Sequence, residues 1–414
     1  MRGQGRQGSN SRRLVELLLF AVSPLVAFGA SPVLARTLGP AERGQLAALM
    51  ALGSLLVTAS AFGQSEVLSD SLRRAEGRRS ASWTIALGLS AVGALVLVII
   101  SVALRLPLGV ALIAGFFVPL IVGCNLIRVE MIALASTGVL AWQAAMGAVL
   151  RLVLLILLDA FSALTLMSAL VVTQATSVLS FGVAGWILWQ HVRRGGKRSF
   201  VSRTTASELR SSLRAGFPIL VFAFLTAAIL RADIVVLQAS STSAQVGLYA
   251  TVVAVCEAGL ALSAAFKNRI QAACYGGNPA AAVTRELRLM LWVVLVVVSV
   301  GEFVAQPFVL VLFGPPFAAA VPAFRVLLAA AFFQMFLDVF QGILTVYGKR
   351  AQLVVASTLG AVVAIATAIL LSPTLGAFGA AISSLCAYLV ACSINGWNAF
   401  GALKSASRGV DGHA

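Results

Sequence analysis

The chain has 414 residues, of which 60% are hydrophobic and 11% charged, with a formal net charge of +16 and a mean hydropathy of +0.99. Soluble domains carry roughly 25% charged residues, so an ordinary globular protein is excluded. Nucleic-acid binding is also disfavoured, because the positive charge is spread through short gaps between apolar stretches instead of gathering on one face beside aromatics; contact with anionic lipid headgroups accounts for it.

Twelve apolar stretches follow one another, at 14–35, 45–63, 82–104, 106–127, 138–158, 163–190, 215–238, 245–266, 289–313, 322–347, 351–371 and 376–400. Each is close to the ~20 residues a helix needs to cross ~30 Å of hydrocarbon. With the N-terminus inside, 24 of the 30 basic residues fall in cytoplasmic gaps; Arg36, Arg43, Arg105 and Arg325 fall outside, and Arg151 and Arg231 lie within spans. That asymmetry obeys the positive-inside rule and predicts two cytoplasmic termini. The first stretch follows a basic segment like a signal peptide. It is longer than an h-region of roughly 7–15 residues and more spans follow it, so it reads as an uncleaved helix.

The expected organisation is a tail at 1–12, a lobe of six helices at 13–192, a cytoplasmic linker at 193–214, a second six-helix lobe at 215–400 and a tail at 401–414. Outward gaps (36–44, 105, 159–162, 239–244, 314–321 and 372–375) are short, and the larger ones (64–81, 191–214 and 267–288) face the cytoplasm. Because each lobe has an even number of spans, a repeat between them would be parallel, about an axis along the membrane normal. Traces of it are Pro40-Ala41-Glu42-Arg43-Gly44-Gln45-Leu46-Ala47 against Ser243-Ala244-Gln245-Val246-Gly247-Leu248-Tyr249-Ala250, and Gly147-Ala148-Val149 against Gly360-Ala361-Val362. Pro24 and Pro32 are expected to interrupt the first span and Pro218 to open the seventh, since proline removes a backbone donor and kinks a helix. The fold expected is therefore all-α: a polytopic membrane protein of twelve transmembrane helices, in two pseudo-repeated six-helix lobes around a central cavity.

Four motifs in order resemble the polysaccharide-biosynthesis flippases of the multidrug/oligosaccharidyl-lipid/polysaccharide exporter superfamily. They are Leu34-Ala35-Arg36-Thr37-Leu38-Gly39-Pro40 running to Gly44; Arg231-Ala232-Asp233 followed by Val246-Gly247-Leu248-Tyr249; Leu312-Phe313-Gly314 followed by Phe324-Arg325-Val326-Leu327; and Gly376-Ala377-Phe378-Gly379-Ala380-Ala381. The likeness runs from about residue 13 to 400. It departs in the eleventh span, where members often carry Asn and this chain has Val362-Val363-Ala364-Ile365, so no substrate or ion contact is carried over there. The resemblance implies a flippase that passes a lipid-linked oligosaccharide or polysaccharide precursor, on an undecaprenyl-diphosphate-type carrier, across a bacterial cytoplasmic membrane. Its expected partners are that substrate, membrane lipids and polysaccharide assembly machinery.

A charge inside hydrocarbon costs about 2.5–3.5 kcal/mol on insertion scales, so each one needs an account. Arg151 and Arg231 each stand seven residues before the outer end of their spans, roughly 10 Å deep at ~1.5 Å per residue. Facing a cavity, two guanidinium groups could hold a diphosphate by bidentate hydrogen bonds; the alternative is snorkelling to the interface. Arg36, at the outer end of the first span, reads as an interfacial anchor or a further substrate contact. Glu257 either pairs with Arg231 or binds the proton or cation that drives the cycle. Gln334 and Asp338, one turn apart, form a polar stripe that must face protein or water. The other intramembrane acids are Glu16, Asp233 and Glu302.

Enzymatic chemistry finds little support. The two histidines, His191 and His413, stand beside the linker and in the tail, and no HExxH, P-loop or nucleophile elbow occurs,. The five cysteines form no CxxC pair, so neither a metal site nor a disulfide framework is indicated and no cofactor is expected. The rival readings are a multidrug antiporter of the same superfamily, a membrane-embedded glycosyltransferase or ligase, and a non-transporting assembly scaffold.

Overall fold

The computed structural model describes residues 4–73, 79–133, 137–194, 205–275 and 279–411, and no strand occurs among them. The helices are α1 (Gln4–Ala61), α2 (Gln64–Arg73), α3 (Arg79–Ala103), α4 (Leu108–Ala133), α5 (Thr137–Ala160), α6 (Leu166–Arg194), α7 (Ala206–Ser240), α8 (Ser243–Ala273), α9 (Pro279–Phe313), α10 (Val321–Val346) and α11 (Arg350–Asp411). A short 3-10 turn, Pro315–Ala320, leads into α10. Among the described residues, ten helices are long and apolar enough to cross a membrane. Within α1, Gly39 has φ 69° and ψ 177°; within α11, Gly376 has φ 55° and ψ −130°. Only glycine takes such values without strain. Each of the two is thus a pair of limbs meeting at one residue, which makes twelve long helices among the described residues.

Several expected boundaries move. The gap at 36–44 contracts to Gly39, because Pro40 takes the first helical position, where its missing N–H is no loss. Arg43 therefore stands in the second limb of α1 and not in a loop. The backbone passes helically through Pro24 and Pro32, with the break at Gly39 instead. Pro218 lies inside α7. That helix starts early because Thr205 and Glu208 form a capping box: Glu208 N donates to Thr205 Oγ1 (3.3 Å) and Thr205 N donates to Glu208 Oε2 (2.9 Å),. Residues 195–204 of the expected linker lie outside the described residues. At the end of α8, the helix runs on to Ala273, so Lys267 and Arg269 are helical.

The distribution of side chains is that of a protein dissolved in lipid. Phe303 and Trp397 are more than four-fifths exposed, while Gln64, Ser82, Ser90 and Asn395 are fully buried. Water would penalise so broad an apolar surface; hydrocarbon does not, and it drives the few polar groups inward to find partners. Close helix approach depends on small residues: a Cβ added to Gly93 would stand 2.1 Å from Ser60 Oγ, and one added to Gly147 2.8 Å from Ser180 Oγ.

By backbone proximity the chain forms two compact units, residues 1–38 with 52–224 and residues 39–51 with 225–414. In the first, α3 packs on α4, and α6 packs on α4 and α5. An ion pair closes the α3–α4 join: Arg79 Nε and Nη2 donate to Glu130 Oε1 and Oε2 at 2.7 and 2.5 Å, and Trp83 Nε1 donates to Oε1 at 3.0 Å. In the second, α10 is central, packed on α8, α9 and α11.

Candidate functional site

The densest polar cluster lies in the second unit, and five helical segments build it. The second limb of α1 brings Arg43, α7 brings Arg231 and Asp233, and α8 brings Tyr249 and Glu257. Gln334 comes from α10, and Ser384 and Tyr388 from the second limb of α11. On α8, Tyr249, Val253 and Glu257 recur at four-residue intervals and so share a helix face. A small enclosed chamber, with room for about one water, is lined by Asp233, Tyr249, Glu257, Gln334 and Tyr388 together with apolar side chains.

Two kinds of contact occur in this cluster. Asp233 is saturated by donors. Its Oδ1 accepts from Ile234 N at 2.7 Å, and its Oδ2 accepts from Ser384 Oγ at 2.7 Å and from the Tyr249 hydroxyl. Those bonds tie α7, α8 and α11 together and satisfy a buried carboxylate. Arg231 and Glu257, by contrast, each keep about a third of the side chain exposed while Arg231 Nη1 and Glu257 Oε1 sit 2.7 Å apart. Arg43 stands within electrostatic reach of Glu257, and its Nε is buried with no hydrogen-bond partner. Arg231 is thus paired with Glu257, while Arg43 acts on that carboxylate through its charge without an ion pair among the described residues. Such an arrangement can accept an anion, because planar forks match phosphate oxygens bidentately.

Of the residues singled out by sequence, Arg231 and Glu257 come together as an ion pair. Gln334 lines the chamber beside them. Asp338 does not join: Lys267 Nζ donates to its Oδ1 at 3.2 Å and Ser263 Oγ to its Oδ2 at 3.1 Å, so the stripe divides between two settings. Arg151 belongs to the first unit. It is half-buried on the face of α5 that also carries Gln143 and Gly147, and Gln143 Nε2 donates to Ser180 Oγ at 2.9 Å. No carboxylate pairs with Arg151 among the described residues. Arg36 is exposed at the end of the first limb of α1, next to Thr37, whose hydroxyl donates to Asp159 Oδ1 at 2.6 Å. Glu302 and Arg325 face each other at 4.0 Å. The side chain of Glu16 lies outside the described residues. Among those described, no three metal-ligating side chains converge.

Sequence reasoning missed Arg43, Ser384 and Tyr388. Arg43 could have been found from Pro40, whose place at a helix start puts the arginine in the first turn. For Ser384 and Tyr388 no local signal exists, since their partners are on distant helices.

Residues 14–266 match the polysaccharide biosynthesis protein family. No curated protein matches the chain. Among solved structures, it is similar to the lipid II flippase MurJ in an inward closed conformation, with a TM-score of 0.74 at 12% identity, covering 96% of this chain and 90% of that one. It is similar also to an inward-facing multidrug resistance MATE family transporter of the MOP superfamily, with a TM-score of 0.68 at 15% identity, covering 94% and 99%. A eukaryotic MATE transporter aligns with a TM-score of 0.56 at 16% identity, over 97% and 98%. These likenesses establish the twelve-helix, two-lobe fold.

Proposed function

Since the chain belongs to the polysaccharide biosynthesis protein family, we propose that it is a flippase for a lipid-linked oligosaccharide or polysaccharide precursor. The carrier is of the undecaprenyl-diphosphate type, the membrane is a bacterial cytoplasmic membrane, and movement is by alternating access. The observation that carries this reading is Arg231, part-exposed and ion-paired with Glu257 within a membrane helix bundle, with a second guanidinium, Arg43, whose buried Nε has no hydrogen-bond partner, in the same unit. The carrier's diphosphate is the anion such a site suits, and its binding needs no covalent step. Within the second unit, Gln334 supplies a hydrogen bond to sugar; Arg151, in the first unit, is a separate candidate anion contact.

Reconstitution tests the cargo. Proteoliposomes holding a labelled polyprenyl-diphosphate sugar should expose it to an added glycosidase faster than protein-free vesicles do. Transport of cationic dyes with no movement of the lipid-linked sugar would replace the flippase by the multidrug antiporter.

Orientation has its own test. Both termini are cytoplasmic in this reading, so reporter fusions after Leu104, Ala160 and Ser372 should report outside, and fusions at Gly195 and Ser407 inside. Gly195 appearing outside would overturn the six-plus-six arrangement.

A further inference from the structure

A groove runs along the outer surface of the first unit, between α3 and α4. Its volume is about 480 Å³, within the ~300–1,000 Å³ of sites that hold a small ligand. Small residues open it. Ala91 and Ala94 on α3 and Gly115 on α4 leave a low floor, and Leu95, Leu112 and Phe116, each more than half exposed, form its walls. A Cβ added to Gly115 would stand 3.0 Å from Val98 Cγ2 and 3.2 Å from the carbonyl oxygen of Ala94, so the two helices close the floor beneath. The side chains lining the groove are all apolar, and they run from Ala91 to Val98 on α3 and from Leu112 to Leu120 on α4.

One charge stands at the end of this groove. Arg105 follows Val98 by seven residues, about two helical turns, and so lies over the same side of α3, roughly 10 Å nearer its end. It is exposed and has no ion pair among the described residues. Its backbone is strained, with φ 58°. The turn is a Schellman motif, in which Arg105 N donates to Val102 O and Leu106 N to Ser101 O, both at 2.9 Å,. Left-handed backbone crowds a Cβ against the next carbonyl. The small residues Ser162 (φ 53°) and Gly348 (φ 68°) hold the equivalent positions at the ends of α5 and α10. A long cationic side chain kept in such a place points to a use for its charge.

We infer that the α3–α4 groove is a binding site for an anionic phospholipid, with an acyl chain laid along the apolar floor and the head phosphate held by the Arg105 guanidinium. Two features select this lipid over a polyprenyl-diphosphate carrier. The single guanidinium matches the one negative charge of a phosphodiester, which it can hold bidentately. From Arg105 to the far end of the groove is roughly 20 Å, half of the ~40–45 Å that a bilayer measures with its headgroups. The site therefore spans one leaflet, as an acyl chain does, and an undecaprenyl chain is far too long for it. A lipid there braces the α3–α4 hairpin at the end opposite to the Arg79–Glu130 pair. The inference needs only the membrane setting and stands whatever the cargo is.

The test uses the full-length protein in an uncharged detergent. Binding of phosphatidylglycerol and of phosphatidylcholine is read from the rise in unfolding temperature across a lipid titration. Phosphatidylglycerol should act at lower concentration than phosphatidylcholine, whose headgroup has no net charge. Arg105→Gly should weaken phosphatidylglycerol binding by about tenfold through loss of the charge-assisted hydrogen bonds. The same variant should unfold at a higher temperature than the wild type in lipid-free detergent, because glycine relieves the left-handed turn; Arg105→Lys should keep part of the affinity. Ala91→Phe adds volume at an exposed position in the groove and should weaken binding with Arg105 intact. Arg325→Gln removes one positive charge from the second unit and should bind as the wild type does. Equal affinity for the two lipids, or equal losses in Arg105→Gly and Arg325→Gln, would overturn the site. Unchanged binding in Ala91→Phe would do so too, by leaving the groove unused. A tenfold loss of polyprenyl-diphosphate binding in both Arg105→Gly and Ala91→Phe would overturn it by giving the groove to the cargo.

Discussion

Arg231→Ala is expected to reduce export of the lipid-linked sugar by about a hundredfold, the equivalent of roughly 3 kcal/mol for charge-assisted hydrogen bonds to the substrate. Arg231→Lys should recover only part of that loss, since a point charge gives up the bidentate geometry. Folding is the competing explanation, because the alanine strands Glu257. A fully buried pair broken in this way loses about 3–5 kcal/mol, but these side chains are about one-third exposed, which discounts the figure to about 1–2 kcal/mol. The double change Arg231→Gln with Glu257→Gln separates the two effects by removing both charges at once. Restored protein level with export still absent is the expected result. Full export by the double variant would reduce the pair to scaffolding and take the diphosphate site with it.

The largest effect on stability is expected at Glu130. Its side chain is 5% exposed and that of Arg79 is 19% exposed, so the pair is dry enough for the loss of one partner to be felt almost in full. Glu130→Ala removes the buried carboxylate to which the Arg79 guanidinium and the Trp83 indole N–H both donate, at a cost of about 3 kcal/mol, the low end for a buried pair because Arg79 is part-exposed,. The amount of folded protein extracted from the membrane should fall steeply, and its thermal unfolding in detergent should move to lower temperature. Replacing both partners by Leu and Met removes the charge along with its acceptor, and the double variant should be more stable than Glu130→Ala alone. An unchanged unfolding temperature in the single variant would mean that water reaches the pair and that it does not clamp α3 to α4. Export is the contrasting readout: the double variant should retain it, since neither residue belongs to the cluster around Arg231.

Much of this molecule was legible one segment at a time. The bilayer sets the length of each span and sorts the flanking Lys and Arg, and both act on neighbours in the chain. The all-helical fold, the twelve long helices and the family resemblance therefore followed from local patterns, and so did the alignment of Pro40–Ala47 with Ser243–Ala250. That alignment reappears as the reciprocal approach of Gly44 and Gly247. The start of α7 was missed: the run of basic residues read as linker up to 214, although Thr205 and Glu208 have the spacing of a capping box,.

Partnership was not legible. Glu130 fell in the gap after the fourth expected span, at 106–127, and Arg79 looked like one more charge in a cytoplasmic gap; 51 residues separate them. The hydroxyl that completes the shell of Asp233 comes from Ser384, 151 residues away, and Asp338 turned to Lys267 instead of staying with Gln334. Arg43 read as a loop residue until Gly39 drew the turn down to a single position. Chain sequence determines which segments must enter hydrocarbon, because that is decided by transfer free energy residue by residue. Only the packing of helices against one another decides which buried polar groups meet, because in hydrocarbon each must find its partner on whichever helix lies beside it.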